Sequence, residues 1–266
     1  MTGPACAHAD LEALYRHYNR REFVHPDPLE FLYKYPAPED RETAGLIAAS
    51  LAYGNVKQIL KAVAAVLDAM GKSPASYLEK KREAEIRKDF STFKYRFTTG
   101  GQLSNFLRGM KKLREEHGSL ERCFMGCLPN NCGNVCTAQT EFARRLYKAG
   151  GEISTLMPNP ERGSAFKRLN LYLRWMVRKD AVDPGGWDGV SPSLLIVPLD
   201  THMHRIGKAL CLTKRNQADL KTALEITSGF AAVSPKDPVK YDFCLTRFGI
   251  RDEIDLSDLR KRLNLG

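Results

Sequence analysis

The amino-acid sequence predicts an all-α fold, and three observations carry that prediction. Nearly every long segment repeats its apolar residues at the three-to-four spacing of a helix. Proline, glycine and asparagine fall between those segments, where helices start and stop. No alternating run with hairpin turns stands out; the one β-like stretch, Leu194-Leu-Ile-Val197, is short and ends at Pro198. The expectation is a bundle of roughly ten to fourteen helices.

Taken in order, Leu11, Leu14, Tyr15 and Tyr18 share one face of a helix over residues 9–20. Asp27-Pro28 opens a short helix through Leu29, Phe31 and Leu32, since proline loses nothing at a helix start. Pro36 and Pro38 end it. Residues 39–53 are hydrophobic nearly all round (Ala44, Leu46, Ile47, Ala48, Leu51, Ala52), which predicts a central helix. Gly54-Asn55 breaks it, and Val56 to Met70 form an amphipathic partner. Ser73 is placed to cap a helix that starts at Pro74. Residues 75–97 are charged and read as one or two short surface helices. Gln102 to Glu116, Ala138 to Lys148, residues 164–179, Thr201 to Leu210, Leu220 to Phe230, Val239 to Phe248 and Leu256 to Leu263 complete the set. There is no tandem repeat and no low-complexity tract.

Hydrophobic residues at 43% and charged residues at 27% fit a soluble globular protein. The formal charge is +10 and the pI is near 9.3. Such an excess of lysine and arginine favours a polyanionic partner, because neutralising phosphates releases condensed counterions. The longest apolar stretches, such as Ala44 to Tyr53, fall short of a membrane span, and residues 1–20 lack the pattern of a secretory signal. No membrane partner and a cytoplasmic location are therefore expected.

Of seven cysteines, Cys123, Cys127, Cys132 and Cys136 crowd together. The spacing is not that of paired zinc knuckles. A bound metal and a plain cysteine-rich helix connection in a reducing cytosol both stay open, and no metal or cofactor is assigned.

Two segments carry chemistry. In residues 164–179, Phe166, Leu169, Leu173, Met176 and Val177 form an apolar stripe. Lys167, Asn170, Arg174 and Arg178 form a polar stripe beside it, read either as an edge that tracks phosphates or as a solvated face. Ser164 is placed to cap this helix, and Trp175 reads as core or as a cleft wall. In the second segment, Asp200 precedes Thr201-His-Met-His-Arg-Ile206 at an N-cap position. A helix dipole favours an anion there, and a carboxylate beside a ribose can stabilise an oxocarbenium ion. His202 and His204, two apart on a helix, are poorly spaced for a shared metal.

The segment Leu199-Asp200-Thr201-His202-Met203-His204-Arg205 resembles the Val-Asp-Thr-His-x-x-Arg segment of the helix-hairpin-helix (HhH-GPD) DNA glycosylases. Gly163-x-x-x-Lys167 resembles, more loosely, the Gly-x-Lys of their hairpin. Lys167-Arg-Leu-Asn170 with Leu173-Arg-Trp-Met176-Val-Arg178, Pro198-Leu-Asp-Thr-His202, Tyr241-Asp-Phe with Phe248-Gly-Ile250, and Leu51-Ala-Tyr-Gly54-Asn-Val-Lys-Gln58 are similar to a bacterial family of unassigned function in that superfamily. Archaeal 8-oxoguanine glycosylases are the nearest in pattern, because their hairpin also diverges. The chain departs from Leu-Pro-Gly-Val-Gly, reading Leu156-Met-Pro-Asn-Pro-Glu-Arg-Gly163, so glycines that admit a phosphate are mostly missing.

The resemblance implies one unit over residues 1–266, with a helical lobe at 40–155 and a second lobe from 1–39 plus 156–266 that carries the hairpin and the aspartate. It implies a DNA glycosylase, with an abasic-site lyase step, acting on a damaged and oxidised purine. Lys167 is the amine nucleophile and Asp200 the essential carboxylate. Arg168, Arg174, Arg178 and Ser164 are expected on DNA, and Trp175, His202, Phe166 and Gln58 around the base. Gln58 or Tyr53 would fill the gap that the flipped base leaves. The expected partner is DNA and the expected state a monomer. The alternative is a non-catalytic DNA-binding protein of the same fold.

Overall fold

The computed structural model describes residues 8–159 and 164–250, the side chains of residues 248–250 excepted. The expected helix over Leu256–Leu263, Cys6 and the hairpin residues 160–163, with Gly163, lie outside the described residues.

The described chain is predominantly helical. Its helices are α1 (His8–Tyr18), α2 (Pro38–Leu51), α3 (Val56–Met70), α4 (Pro74–Lys80), α5 (Glu83–Asp89), α6 (Gly100–His117), α7 (Leu120–Met125), α8 (Cys136–Gly150), α9 (Lys167–Val177), α10 (Thr201–Ala209), α11 (Leu220–Ala231) and α12 (Asp242–Ile250). Asp27 opens a 3₁₀ helix, Pro28–Lys34, with its carboxylate accepting the Leu29 N–H at 3.0 Å. Ser73 caps α4, its hydroxyl accepting the Ser76 N–H at 3.1 Å. Leu194–Val197 forms no strand; a 3₁₀ turn at Pro192–Leu194 leads into a buried extended stretch.

One element was not expected. After α4 and α5, residues 94–99 form a small antiparallel hairpin, β1 (Lys94–Tyr95) against β2 (Thr98–Thr99). Two-residue strands are too short to show an alternating pattern. What holds them is side-chain bonding to the end of α2: the Tyr95 hydroxyl donates to the Tyr53 carbonyl, and the Tyr53 hydroxyl lies 2.6 Å from Thr98 Oγ1.

The buried residues join in one core that runs from Leu11 to Leu245. Helix α2 lies at its middle, as its all-round hydrophobicity predicts: every residue from Glu42 to Leu51 is buried. It packs against α3, α4, α7 and α9. The one carboxylate in that buried run has a full set of partners. Glu42 accepts the N–H groups of Leu120 and Glu121 at the start of α7, at 3.0 and 3.1 Å, the Trp187 indole N–H at 3.1 Å, and Arg114. Burial pushes its carboxyl up from the usual range in spite of those donors.

A buried ion network fastens α9 to the chain that follows it. Arg174 pairs with Asp183 at 3.2 Å and with Asp242 of α12. Arg178 pairs with Asp183, with Asp180 at 2.8 Å and with Asp237 at 2.9 Å. Arg174, Arg178 and Asp183 are buried. The expected phosphate-tracking role of Arg174 and Arg178 is thereby corrected. Both are inward-facing, because three of their aspartates lie in the loop after α9 and at the start of α12. Removing one member of a buried network leaves an uncompensated charge and costs about 3–5 kcal/mol. Asp183→Ala should lower unfolding stability in urea by that amount. A loss under about 1 kcal/mol would show that the network does not hold α9 in place.

Candidate active site

A cleft beside α9 is built from three parts of the chain. The first is the start of α9. Phe166 takes a left-handed conformation (φ 48°) just ahead of the helix, and its own N–H donates to Ser164 Oγ at 3.1 Å. Asn170 braces the turn from behind, donating to the Ala165 carbonyl at 2.9 Å. Ser164 therefore closes a local turn and does not cap α9, which corrects that expectation. Lys167 follows as the first helical residue, with about a third of its side chain exposed.

The second part is the start of α10. Asp200 is its N-cap: Oδ1 accepts the Met203 N–H at 2.8 Å. That bond fixes the carboxylate and leaves Oδ2 turned to Lys167, whose Nζ lies 4.0 Å away. The amine and the acid, distant in sequence, line one cavity of about 300 Å³. A shallower depression beside it shares Lys167, Asp200, His202, Ala52, Gly54 and Ile59 and adds Tyr53, Ser164 and Arg168.

The third part is the inner wall, which sequence reasoning missed. Asp27, Asp242, Thr246 and Arg247 line the chamber together with Arg174. Arg247 donates to Asp27 at 3.0 Å and to the Phe23 carbonyl at 3.2 Å. Three buried polar atoms of this wall have no hydrogen-bond partner: Arg174 Nη2, Arg247 Nε and Asp242 Oδ1. His202 Nδ1, at the rim, is a fourth. The signal in the sequence was an aspartate and an arginine set among apolar neighbours in Tyr241-Asp-Phe-Cys-Leu-Thr-Arg247. Charges in such a run are buried and paired, or they face a site.

Of the four residues expected around a base, His202 lines the chamber. Trp175 and Phe166 do not, since both are buried in the core. Gln58 is exposed on the first turn of α3, outside the lining. Arg168 borders the outer depression, but its Nη1 donates to the Ser50 and Thr155 carbonyls, both at 2.6 Å. Its guanidinium also lies 5.2 Å from the centre of the Tyr53 ring, so it ties α9 to the end of α2. The four clustered cysteines do not converge. Cys123 and Cys127 are buried, Cys132 and Cys136 half-buried, and among the described residues no three His, Cys, Asp or Glu side chains are grouped to hold a metal ion. Among the described residues no helix is long and apolar enough to cross a membrane.

Burial pushes the Asp242 carboxyl up to about 6, although Arg174 opposes the shift; Asp200 and Asp183 add to it. A carboxyl raised in the folded state binds its proton more tightly there. Its contribution to stability is full below the ordinary value near 3.8 and is lost as pH rises through about 6. The gap in unfolding free energy between the wild type and Asp242→Asn should therefore shift against the wild type between those two pH values, then level off. A gap that stays constant from pH 4 to 7 would mean that burial does not raise this carboxyl above its ordinary value.

Residues 27–251 match the model of a family described as "Protein of unknown function (DUF2400)". Comparison with curated proteins found no match, and comparison with solved structures found none.

Proposed function

The chain belongs to the DUF2400 family, and for it we propose a DNA glycosylase with an abasic-site lyase step that excises a damaged, oxidised purine. In this reading the helical body is a two-lobed HhH-GPD arrangement with the cleft between the lobes. The observation that carries the proposal is the approach of Lys167 Nζ to Asp200 Oδ2, at 4.0 Å, on the wall of a chamber large enough for one extruded base.

The chemistry follows from those two groups. A base inside a duplex hides its sugar carbon, so the nucleotide is extruded into the chamber. The free amine of Lys167 attacks the anomeric carbon. The glycosidic bond breaks, its electron pair leaves with the base, and the base takes up a proton. The C1′–O4′ bond then breaks, its electron pair goes to the ring oxygen, which takes up a proton, and C1′ is left as a protonated Schiff base on Lys167. Asp200, held by its cap bond, stabilises the positive charge that develops on the sugar and accepts the proton that the amine sheds. Loss of a proton from the adjacent sugar carbon expels the 3′-phosphate and cuts the strand.

The inner wall supports a heterocycle as the occupant. Arg174 Nη2 and Arg247 Nε are unpaired donors, and Asp242 Oδ1 is an unpaired acceptor. These atoms are shut off from solvent, but the residues that carry them line the chamber with Asp27, and the carbonyls and ring N–H groups of an oxidised purine suit so polar a wall. An inner wall with two aspartates and two arginines favours such a ligand over an apolar one, since polar groups covered without a partner are costly. The formal charge of +10 supports a polyanionic substrate.

Duplexes carrying single oxidised purines provide the test. The wild type should release the base and nick the strand. Asp200→Asn should slow base release by about a hundredfold or more, and Lys167→Ala should abolish the nick. Binding of the duplexes without release of any base would favour the non-catalytic alternative.

A further inference from the structure

Among the described residues Phe97 is the most exposed large hydrophobic, with 75% of its surface open to solvent. It sits in the turn of the β1–β2 hairpin, and that turn is constructed with care. Arg96, the residue before it, has a positive φ of 50°, a conformation that non-glycine residues adopt seldom and at a cost. The turn is braced on the rim of the cleft. Tyr95 donates to the Tyr53 carbonyl, Tyr53 lies 2.6 Å from Thr98 Oγ1, and Thr98 donates to Thr155 at 2.8 Å. The Arg96 side chain packs over Gly54, a wall residue of both cavities: a Cβ there would lie 2.7 Å from Arg96 Nη1. Gly54 also has φ +98°, so backbone and space both demand glycine. The Arg96 guanidinium lies 5.7 Å from the centre of the Phe97 ring. Lys94, on β1 of the same hairpin, is exposed.

We infer that Phe97 is the side chain that enters the base stack of the bound duplex and holds open the site of the extruded nucleotide, with Arg96 seating the adjoining phosphate. The inference rests on the DNA reading above. An exposed aromatic ring on a stiff turn suits insertion into a base stack, since it is ordered before binding and offers a flat face to stack upon. Arg96 beside the ring and Lys94 on the same hairpin fit a polyanion and not an apolar protein groove. Tyr53, expected from the sequence to fill the gap, is occupied as the hairpin's anchor. Phe97 stands outside the cavity lining, on a turn joined to the rim through Arg96 and Gly54.

The test uses the full chain and a duplex with a tetrahydrofuran abasic analogue opposite 2-aminopurine, a fluorophore quenched by stacking. Wild type should bind and quench. Phe97→Ala, fully folded by its melting temperature because the ring is exposed, should quench at least threefold less and bind about tenfold more weakly, the loss expected for one base–aromatic stack. Phe97→Trp should restore both. Equal quenching and affinity in wild type and Phe97→Ala would overturn the inference. The probe needs no catalysis, so quenching that depends on Phe97 in a protein that excises nothing would sink the glycosylase and leave Phe97 in place. Excision that ignores Phe97 would sink the role of the hairpin alone. A wild type that does not bind the duplex would overturn both.

Discussion

The buried ion network on α9 is the constraint on which the rest of the cleft depends. Arg174 and Arg178 point into the protein and are met by Asp183, Asp180, Asp237 and Asp242. A helix with two inward guanidiniums has one rotation about its axis that satisfies them, because a buried charge without a partner is far too costly. That rotation turns Lys167, seven residues ahead of Arg174, toward the chamber. The same network brings Asp242 to the inner wall, so the fixture that sets Lys167 also shapes the space in front of it.

Asp200 divides its carboxylate between two tasks. One oxygen closes the first turn of α10 and the other faces the Lys167 amine. A cap bond is short and local, so it fixes the carboxylate and with it the oxygen that faces Lys167. Arg168 makes the corresponding tie on the other side, from α9 to the end of α2 and to the Thr155 carbonyl. The hairpin joins the same rim through Tyr53 and Tyr95. Helices α9 and α10, the end of α2 and the hairpin thus meet around one opening.

The helices and the two key residues were legible in the sequence because their signals are local. Periodicity marks α2 as central, Pro74 after Ser73 marks a helix start, and an aspartate before Thr-His-Met-His-Arg marks a cap. What was not legible is long-range. An arginine at helical spacing on a polar stripe looks the same whether it meets solvent or aspartates from a later loop, so Arg174 and Arg178 were read as surface residues. Trp175 and Phe166 stand next to cleft-lining residues in sequence but are buried in the core. The hairpin at 94–99 escaped notice because its strands are two residues long and its stability comes from Tyr53, on another element. Asp242 and Arg247 gave a legible sign, charge within an apolar run, but nothing local says that they face a cavity.

The central claim is that Lys167 and Asp200 act together on a sugar carbon in DNA. Reducing a reaction mixture with borohydride fixes any Schiff base as a stable amine, and peptide mapping by mass spectrometry then locates the residue that carries the sugar. The account predicts one adduct, on the peptide containing Lys167, formed much more slowly in Asp200→Asn. An adduct on a different lysine, or no adduct on any oxidised-purine or abasic duplex, would contradict it.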